Sequence, residues 1–190
     1  MQATIESIRR NLAGYSPVRI EPDGRIQAAV ALILIKSDGG VELLFIKRTE
    51  RADDPWSGQI AMPGGRREPL DRDLRETAVR ESLEETAVDL SRGELLGELD
   101  DLSTSSPYLP PMLVRPFVFG LEQRQPVTHS EEVALHFWIP LADLPAARVM
   151  EEVMVRGFSI TARGYRFGPH LVWGMTERIL ALFLELLGQD

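Results

Sequence analysis

The longest run of apolar positions occupies residues 27–35, which read Gln-Ala-Ala-Val-Ala-Leu-Ile-Leu-Ile. The run lacks the apolar and polar alternation of a half-buried strand, and it is too short to cross a membrane. A continuous run of this length is typical of a strand that is buried on both faces. Residues 37–40 follow as a turn signal, and residues 41–46 are the predicted antiparallel partner.

Helical periodicity identifies three further segments. Apolar residues recur at the spacing of one helix face in residues 4–13, 73–86 and 176–187. Apolar residues in the last segment cover more of the helix than a single stripe, so we expect this helix to be deeply buried or shared with a partner chain. The breadth of that surface makes a homodimer one expectation for the protein.

The remaining apolar segments have the length and composition of strands. Pro116 interrupts one of them, which predicts an edge strand or a bulge there because proline has no backbone N–H. Gly157 and Gly164 suggest a hairpin across 153–167. The strands are predicted at residues 59–62, 94–99, 112–121, 132–139 and 153–167. The order of elements predicts an α+β fold with a mixed central sheet sandwiched by helices, not a doubly wound parallel sheet.

Composition limits the class of protein and its partners. A chain of 190 residues, 44% of them hydrophobic, is expected to fold as a single domain over 1–190. Its 21 basic and 29 acidic residues give a net charge of −8, which predicts no binding to nucleic acid or anionic membranes. The chain has no cysteine, so disulfides and a thiolate nucleophile are excluded. Residues 1–10 lack the apolar core of a signal peptide, and we expect a cytoplasmic protein.

The helix over 73–86 carries the candidate chemistry. Glu81, Glu84 and Glu85 are spaced i, i+3 and i+4 and therefore share one face, where like charges repel. Such a run is usually a solvated surface, but here Arg80 stands at i, i+4 from Glu84. Carboxylate oxygens are hard ligands, so the cluster suits Mg²⁺ or Mn²⁺ better than zinc. Ahead of the helix, the glycine pair that begins at Gly64 permits a tight turn and a close backbone approach to a ligand.

The combination of the glycine turn and the acidic helix resembles the Nudix hydrolases. Their box has a glycine, five residues, a glutamate, seven residues and then Arg-Glu-U-x-Glu-Glu-x-Gly-U, where U is aliphatic. Residues 80–81, 84–85 and 88 match this core. The chain departs from the box in four respects. Asp71 stands where glutamate is usual, eight residues rather than seven separate it from Arg80, and Ser82 and Ala87 replace an aliphatic residue and the late glycine.

Segments outside the box resemble the coenzyme A pyrophosphatase subgroup of that family. Similar stretches occur at residues 44–49 and 58–65 ahead of the box and at residues 172–176 before the last helix. Trp56 stands near the position where that subgroup usually has histidine. The resemblance covers roughly residues 25–187.

The resemblance implies an α/β/α sandwich and metal-dependent hydrolysis of a nucleoside diphosphate derivative. Glu84 and Glu85 would bind the metal with the Gly64 carbonyl, Glu81 would bind metal or orient the attacking water, and Arg80 would position these carboxylates. Coenzyme A or its thioesters are the leading substrates, giving 3′,5′-ADP and (acyl-)4′-phosphopantetheine. The alternatives are ADP-ribose, other nucleotide sugars or dinucleotides, and a sensor that binds a nucleotide without cleaving it.

Nudix enzymes often draw one more acid from a later loop, and Glu131 and Glu132 are the catalytic candidates for that position. The candidates for substrate binding are Lys47, Arg48, Arg66 and Trp56. Each basic residue taken alone is better explained as ordinary surface charge, and Trp56 by packing. Nearby, His129 is the type of residue that serves as a general base, although a lone loop histidine is more often a bystander.

Overall fold

The computed structural model describes residues 3–52, 56–104, 109–155 and 157–188. The helices predicted over 4–13, 73–86 and 176–187 correspond to α1 (Ile5–Ala13), α2 (Leu74–Thr86) and α3 (Met175–Leu186). The strands within the described ranges are β1 (Ile26–Ser37), β2 (Gly40–Arg48), β3 (Ile60–Ala61), β4 (Gly64–Arg66), β5 (Glu94–Glu98), β6 (Leu102–Ser103), β7 (Met112–Leu121), β8 (Val133–Pro140), β9 (Arg148–Val155), β10 (Phe158–Phe167) and β11 (His170–Trp173).

β1 is the central strand of the main sheet. It pairs with β7 in parallel over ten residue pairs and with β2 and β4 in antiparallel orientation. β3 and β8 extend the sheet beyond β2, while β5 and β6 pair with the far side of β7. The prediction of a mixed sheet is therefore confirmed.

The side chains of β1 alternate between two hydrophobic cores. Leu32 and Leu34 pack in a core that includes residues of α1 and α3, whereas Ala31 and Ile33 pack in a second core with Leu74 and Ala78 of α2. Helices therefore cover both faces of the sheet, as in an α/β/α sandwich. Burial on both faces explains why the run is apolar at every position.

The prediction that Pro116 marks an edge or a bulge is wrong. Proline lies inside β7, between β1 and the pair β5 and β6, opposite Val30 in the parallel ladder. Its carbonyl accepts a hydrogen bond of 3.0 Å from the N–H of Leu99, which lies between the ends of β5 and β6. The N and O atoms of a strand residue face the same edge, so the missing N–H faces a gap between two short strands. A bulge does occur nearby, in β5 between Leu95 and Gly97.

The region after residue 147 forms a second, antiparallel sheet in the order β11, β10, β9. The predicted hairpin is present, but Gly164 lies inside β10 opposite Trp173 and does not form a turn. A Cβ at Gly164 would come closer than 3.0 Å to the carbonyl oxygen of Val172. Close approach of the neighbouring strand therefore explains this glycine.

The broad apolar surface of α3 is buried within its own chain. Ile179, Leu180, Phe183 and Leu184 are all buried, and Leu182 packs against the same core. Burial of this kind accounts for the breadth of the surface without a partner chain. The homodimer remains a prediction.

Both ends of α2 are fixed by local backbone chemistry. The carboxylate of Asp73 accepts a hydrogen bond of 2.9 Å from the N–H of Glu76 and caps the first turn. At the other end Ala87 has φ 59°, a left-handed conformation, and its N–H donates to the carbonyl of Leu83. A left-handed alanine costs about 1 kcal/mol relative to glycine. This conformation explains why the Nudix box usually has glycine at the position of Ala87.

Candidate active site

A cleft of about 460 Å³ opens beside the N-terminal half of β1. Most of its charged lining residues are linked by ion pairs, and Met112, Val114, Trp56 and Met175 pack in one apolar cluster, so the two groups are called the charged end and the apolar end. The lining residues comprise Arg48, Arg66, Glu68, Arg80, Glu81, Glu84 and Glu132 at the charged end, Trp56, Met62, Met112, Val114, Met175 and Ile179 at the apolar end, and Gly64 and Gly65 among the remainder.

The two glycines of β4 allow the sheet and α2 to meet at the cleft. A Cβ at Gly64 would come closer than 3.0 Å to the backbone of Ala29 and Val30 in β1. A Cβ at Gly65 would overlap the carboxylate of Glu81 on α2. The glycine pair predicted as a tight turn thus forms a short strand, and its missing side chains leave space for β1 and for Glu81.

Arg80 is the centre of the hydrogen-bond network in the cleft. Its Nη1 donates to Glu81 and to Glu84, each at 2.9 Å, so one guanidinium nitrogen holds two of the predicted metal ligands. Its Nη2 donates to the backbone carbonyl of Arg66, also at 2.9 Å. The prediction that Arg80 contacts Glu84 agrees with this geometry.

Asp71 holds Arg80 in place, a role that was not predicted for it. Its two carboxylate oxygens accept hydrogen bonds of 3.0 Å from Nε and Nη2 of Arg80. The hydroxyl of Thr77 and the N–H of Glu68 donate to the same carboxylate at 2.9 Å. The hydrogen bonds from Arg80, together with those from Glu68 and Thr77, lower the pKa of Asp71 to about 2. The sequence feature that could have pointed to this role is that Asp71 stands where the Nudix box usually has glutamate.

The three glutamates of α2 lie in different environments. Glu85 is buried, and one of its carboxylate oxygens accepts a hydrogen bond of 2.9 Å from the N–H of Gly64. Burial raises the pKa of Glu85 to about 8 and also raises the pKa of Glu81. Glu84 is exposed at the mouth of the cleft. A buried acid, a half-buried acid and an exposed acid therefore form a gradient along one helix face.

The loop before β8 is joined to the C-terminal end of α2. The N–H groups of Thr128 and Ser130 donate to the carbonyls of Thr86 and Glu85 at 2.9 and 3.1 Å. Through these contacts the loop brings Glu132 to the cleft. Glu131 does not line the cleft and is exposed.

The other residues predicted to bind the substrate do not all line the cleft. Arg48, Arg66 and Trp56 line the cleft, whereas Lys47 lies outside it and forms an ion pair of 3.3 Å with Glu50. His129 is exposed, and its Nε2 lies 2.6 Å from Nδ1 of His136. The methionines of the apolar end were not predicted to line the cleft. The sequence did single out residues 172–176, and this segment includes Met175 and Thr176, which line the cleft.

The donor chemistry of the charged end fits a hard divalent ion. Carboxylates approach from two directions, on α2 and on the loop that carries Glu132, and all of the donors are oxygens. Within the described ranges, no three acidic or histidine side chains are already gathered in a coordinating arrangement. The hydrogen bonds from Arg80 to Glu81 and Glu84 occupy one oxygen of each, and ligation would use the rest.

A family model described as the NUDIX domain matches residues 25–157. The chain belongs to the Nudix family. The human mitochondrial coenzyme A diphosphatase NUDT8 is 31% identical over 94% of this chain and 76% of its own length. An uncharacterized Nudix hydrolase NudL from Photorhabdus laumondii is 30% identical over 86% of both chains. The binary complex of an Ap4A hydrolase from C. elegans has a similar fold, with a TM-score of 0.52 and 21% identity over 62% of this chain and 82% of that chain.

As a Nudix hydrolase the chain is a pyrophosphohydrolase, and its similarity to coenzyme A diphosphatases extends over most of its length. Nudix hydrolases generally use divalent metal ions. No helix in the described part of this Nudix chain is both long and apolar enough to span a membrane.

Gly65→Ala is expected to reduce activity with little loss of stability. The added Cβ would displace the carboxylate of Glu81, which is the flexible end of a side chain, so the fold can accommodate it. A displacement of about 1 Å in a catalytic group costs roughly 10²-fold in rate. Steady-state kinetics and thermal unfolding would measure the two effects. Gly39→Ala, with only the hydroxyl of Ser37 near its added Cβ, is the control. Full activity in Gly65→Ala would show that the position of Glu81 is unimportant.

Proposed function

We propose that this Nudix hydrolase cleaves the pyrophosphate bond of coenzyme A or acyl-coenzyme A, giving 3′,5′-ADP and (acyl-)4′-phosphopantetheine. The observation that carries the proposal is the division of the cleft into a charged end and an apolar end. Coenzyme A has a matching division, because its pyrophosphate joins a nucleotide to a long arm of low charge. The 31% identity to a protein named as a coenzyme A diphosphatase supports the same substrate.

The proposed metal ligands are the carboxylates of Glu81, Glu84 and Glu85 and the carbonyl of Gly64, with Mg²⁺ or Mn²⁺ as the ion. Bound there, a divalent ion would neutralise the pyrophosphate and lower the pKa of a bound water. Arg80 orients Glu81 and Glu84 through its two hydrogen bonds.

The remaining groups at the charged end act on the substrate and on the attacking water. Arg48 and Arg66 would bind the phosphate oxygens by charge-assisted hydrogen bonds. Glu132 would accept the proton of the water that attacks phosphorus, as the bridging P–O bond breaks and the leaving phosphate carries the negative charge. No covalent intermediate on a protein side chain is required.

A panel of substrates tests the proposal. Coenzyme A, acetyl-coenzyme A, ADP-ribose, NADH, diadenosine polyphosphates and dNTPs would be incubated with the protein and Mg²⁺ or Mn²⁺, and the product masses would identify the cleaved bond. Release of 4′-phosphopantetheine supports the proposal. Faster turnover of ADP-ribose or a dinucleotide would replace coenzyme A as the substrate, and binding without turnover across the panel would favour the nucleotide sensor.

The acid on the loop is tested by comparing two neighbouring substitutions. Glu132→Gln is expected to lower kcat by roughly 10²-fold, the usual contribution of a general base, whereas Glu131→Gln is expected to retain most activity because Glu131 does not line the cleft. Rates measured from pH 6 to 9 with saturating metal would show the effect. The opposite ranking of the two variants would assign the role to Glu131.

We also propose a cytoplasmic location and a small nucleotide as the only class of ligand. The net charge of −8 and the lack of cysteine support these two assignments. The human relative is named as a mitochondrial protein, so fractionation of the source cells with an antibody to this chain is the direct test.

A further inference from the structure

Arg48 lies between two carboxylates that belong to different parts of the fold. It is the last residue of β2, at a shift in the register between β2 and β8. Its Nη1 lies 3.7 Å from Oε1 of Glu85, and its Nη2 lies 3.9 Å from Oε2 of Glu132. The guanidinium therefore bridges the acidic face of α2 and the loop before β8.

The two arginines of the charged end contact the acids in different ways. Arg80 makes hydrogen bonds of 2.9 to 3.0 Å to the carboxylates of Asp71, Glu81 and Glu84. The contacts of Arg48 with Glu85 and Glu132 are both longer than a hydrogen bond. Arg80 is thus bonded to its acids by directed hydrogen bonds, whereas Arg48 contacts Glu85 and Glu132 at longer range. A carboxylate can exchange a longer-range contact with one cation for a contact with another.

We propose that Arg48 is the counter-cation of the metal-free site: its guanidinium supplies the positive charge beside Glu85 and Glu132, is displaced from them when a divalent ion binds, and then contacts the phosphate of the substrate. The inference rests on the proposed function, because it takes Glu85 as a metal ligand. It adds a coupling between the binding of the divalent ion and the binding of the substrate, because the same guanidinium contacts the carboxylates before the ion binds and the substrate phosphate afterwards.

Competition between Arg48 and the ion has a consequence with an unusual sign. Removing the guanidinium should tighten the binding of a divalent ion, because the carboxylates lose their competing cation. The same change should weaken substrate binding, because a phosphate contact is lost. A purely structural arginine would instead weaken the binding of both when removed.

The test is a titration of the metal-free protein with Mn²⁺ in the absence of substrate, with free Mn²⁺ measured by electron paramagnetic resonance. Arg48→Gln is expected to lower the Kd for Mn²⁺ by roughly tenfold, as expected from the loss of a unit charge about 4 Å from a carboxylate. In the same variant KM for the best substrate of the panel is expected to rise roughly tenfold. Arg48→Lys keeps the charge on a shorter side chain, so its Kd for Mn²⁺ should lie between those of Arg48→Gln and the wild type.

Arg92→Gln is the matched control, because it makes the same charge change on an exposed side chain outside the cleft. An unchanged or raised Kd for Mn²⁺ in Arg48→Gln, with wild-type binding intact, would overturn the role of Arg48 alone. Wild-type protein that binds no Mn²⁺ would instead overturn the proposed metal site. If Arg48→Gln does not fold, Arg48→Lys is the deciding variant. The proposal then requires that Arg48→Lys bind Mn²⁺ with a lower Kd than the wild type, because the shorter lysine side chain lies farther from both acids.

Discussion

Glu85→Gln is expected to lower kcat by roughly 10³-fold while the protein stays folded. The glutamine keeps an oxygen that can accept the hydrogen bond from the N–H of Gly64, so the local structure is retained. It removes the buried negative charge that we assign to the metal, and losing several kcal/mol of charge stabilisation corresponds to a rate loss of this size. Glu84→Gln should also reduce kcat, by a smaller factor, since Glu84 is exposed and its charge is already screened by solvent.

Steady-state rates over a range of Mg²⁺ and Mn²⁺ concentrations, together with circular dichroism, would measure this result. Glu122→Gln, at an exposed residue that does not line the cleft, controls for the loss of one carboxylate. Turnover at the wild-type rate in both Glu84→Gln and Glu85→Gln would remove α2 from the metal site.

Asp71→Asn is expected to lower stability and activity together. The asparagine presents an N–H₂ group to the donors of Arg80 and cannot accept both hydrogen bonds, so Arg80 loses its anchor. The pKa of Asp71 is about 2 in the folded protein and 3.8 in the reference state, a difference equivalent to about 2 kcal/mol. Release of Arg80 leaves Glu81 and Glu84 without their shared donor, and we expect kcat to fall roughly 10²-fold.

The stabilisation from Asp71 depends on pH with a definite sign. Because folding lowers the pKa of Asp71, its contribution is complete above the reference value near pH 4 and is lost as the pH falls towards 2. Urea denaturation should therefore show a difference of about 2 kcal/mol between wild type and Asp71→Asn at pH 7, narrowing below pH 4. Asp73→Asn is the control, since asparagine caps a helix as well as aspartate. A constant difference from pH 7 to pH 2 would contradict the ion pair.

The helices and most strands of this fold are predictable from the sequence because each is determined by residues close together in the chain. The apolar run at residues 27–35 required a strand with two buried faces, and Asp73 and Ala87 define the ends of α2 through contacts within four residues. Pro116 is the exception. The preference of proline for edge strands considers only the strand that contains it. Pro116 is accommodated in β7 because the ends of two other strands, β5 and β6, leave a gap beside it.

In the candidate site, too, local sequence predicts some features, and packing between distant segments determines the others. Periodicity places Glu81, Glu84 and Glu85 on one helix face, but only the packing of β4 and the loop before β8 makes one of them buried and another exposed. The role of Asp71 could not be found from periodicity, because it precedes the helix and reaches Arg80 across a turn. The identity of the reaction came from the resemblance of residues 64–88 to the Nudix box.

The parallel pair of β1 and β7 has a consequence for how the molecule folds. Ile26 pairs with Met112, so these partners are 112 − 26 = 86 residues apart, and β4 and α2 lie within the closed loop. Closing so long a loop is slow because its entropy is lost before the contacts form. We therefore infer that the catalytic helix docks late in folding. Pulsed hydrogen exchange would show protection of α2 arising together with that of β1 and β7, and protection of α2 well before them would refute the order.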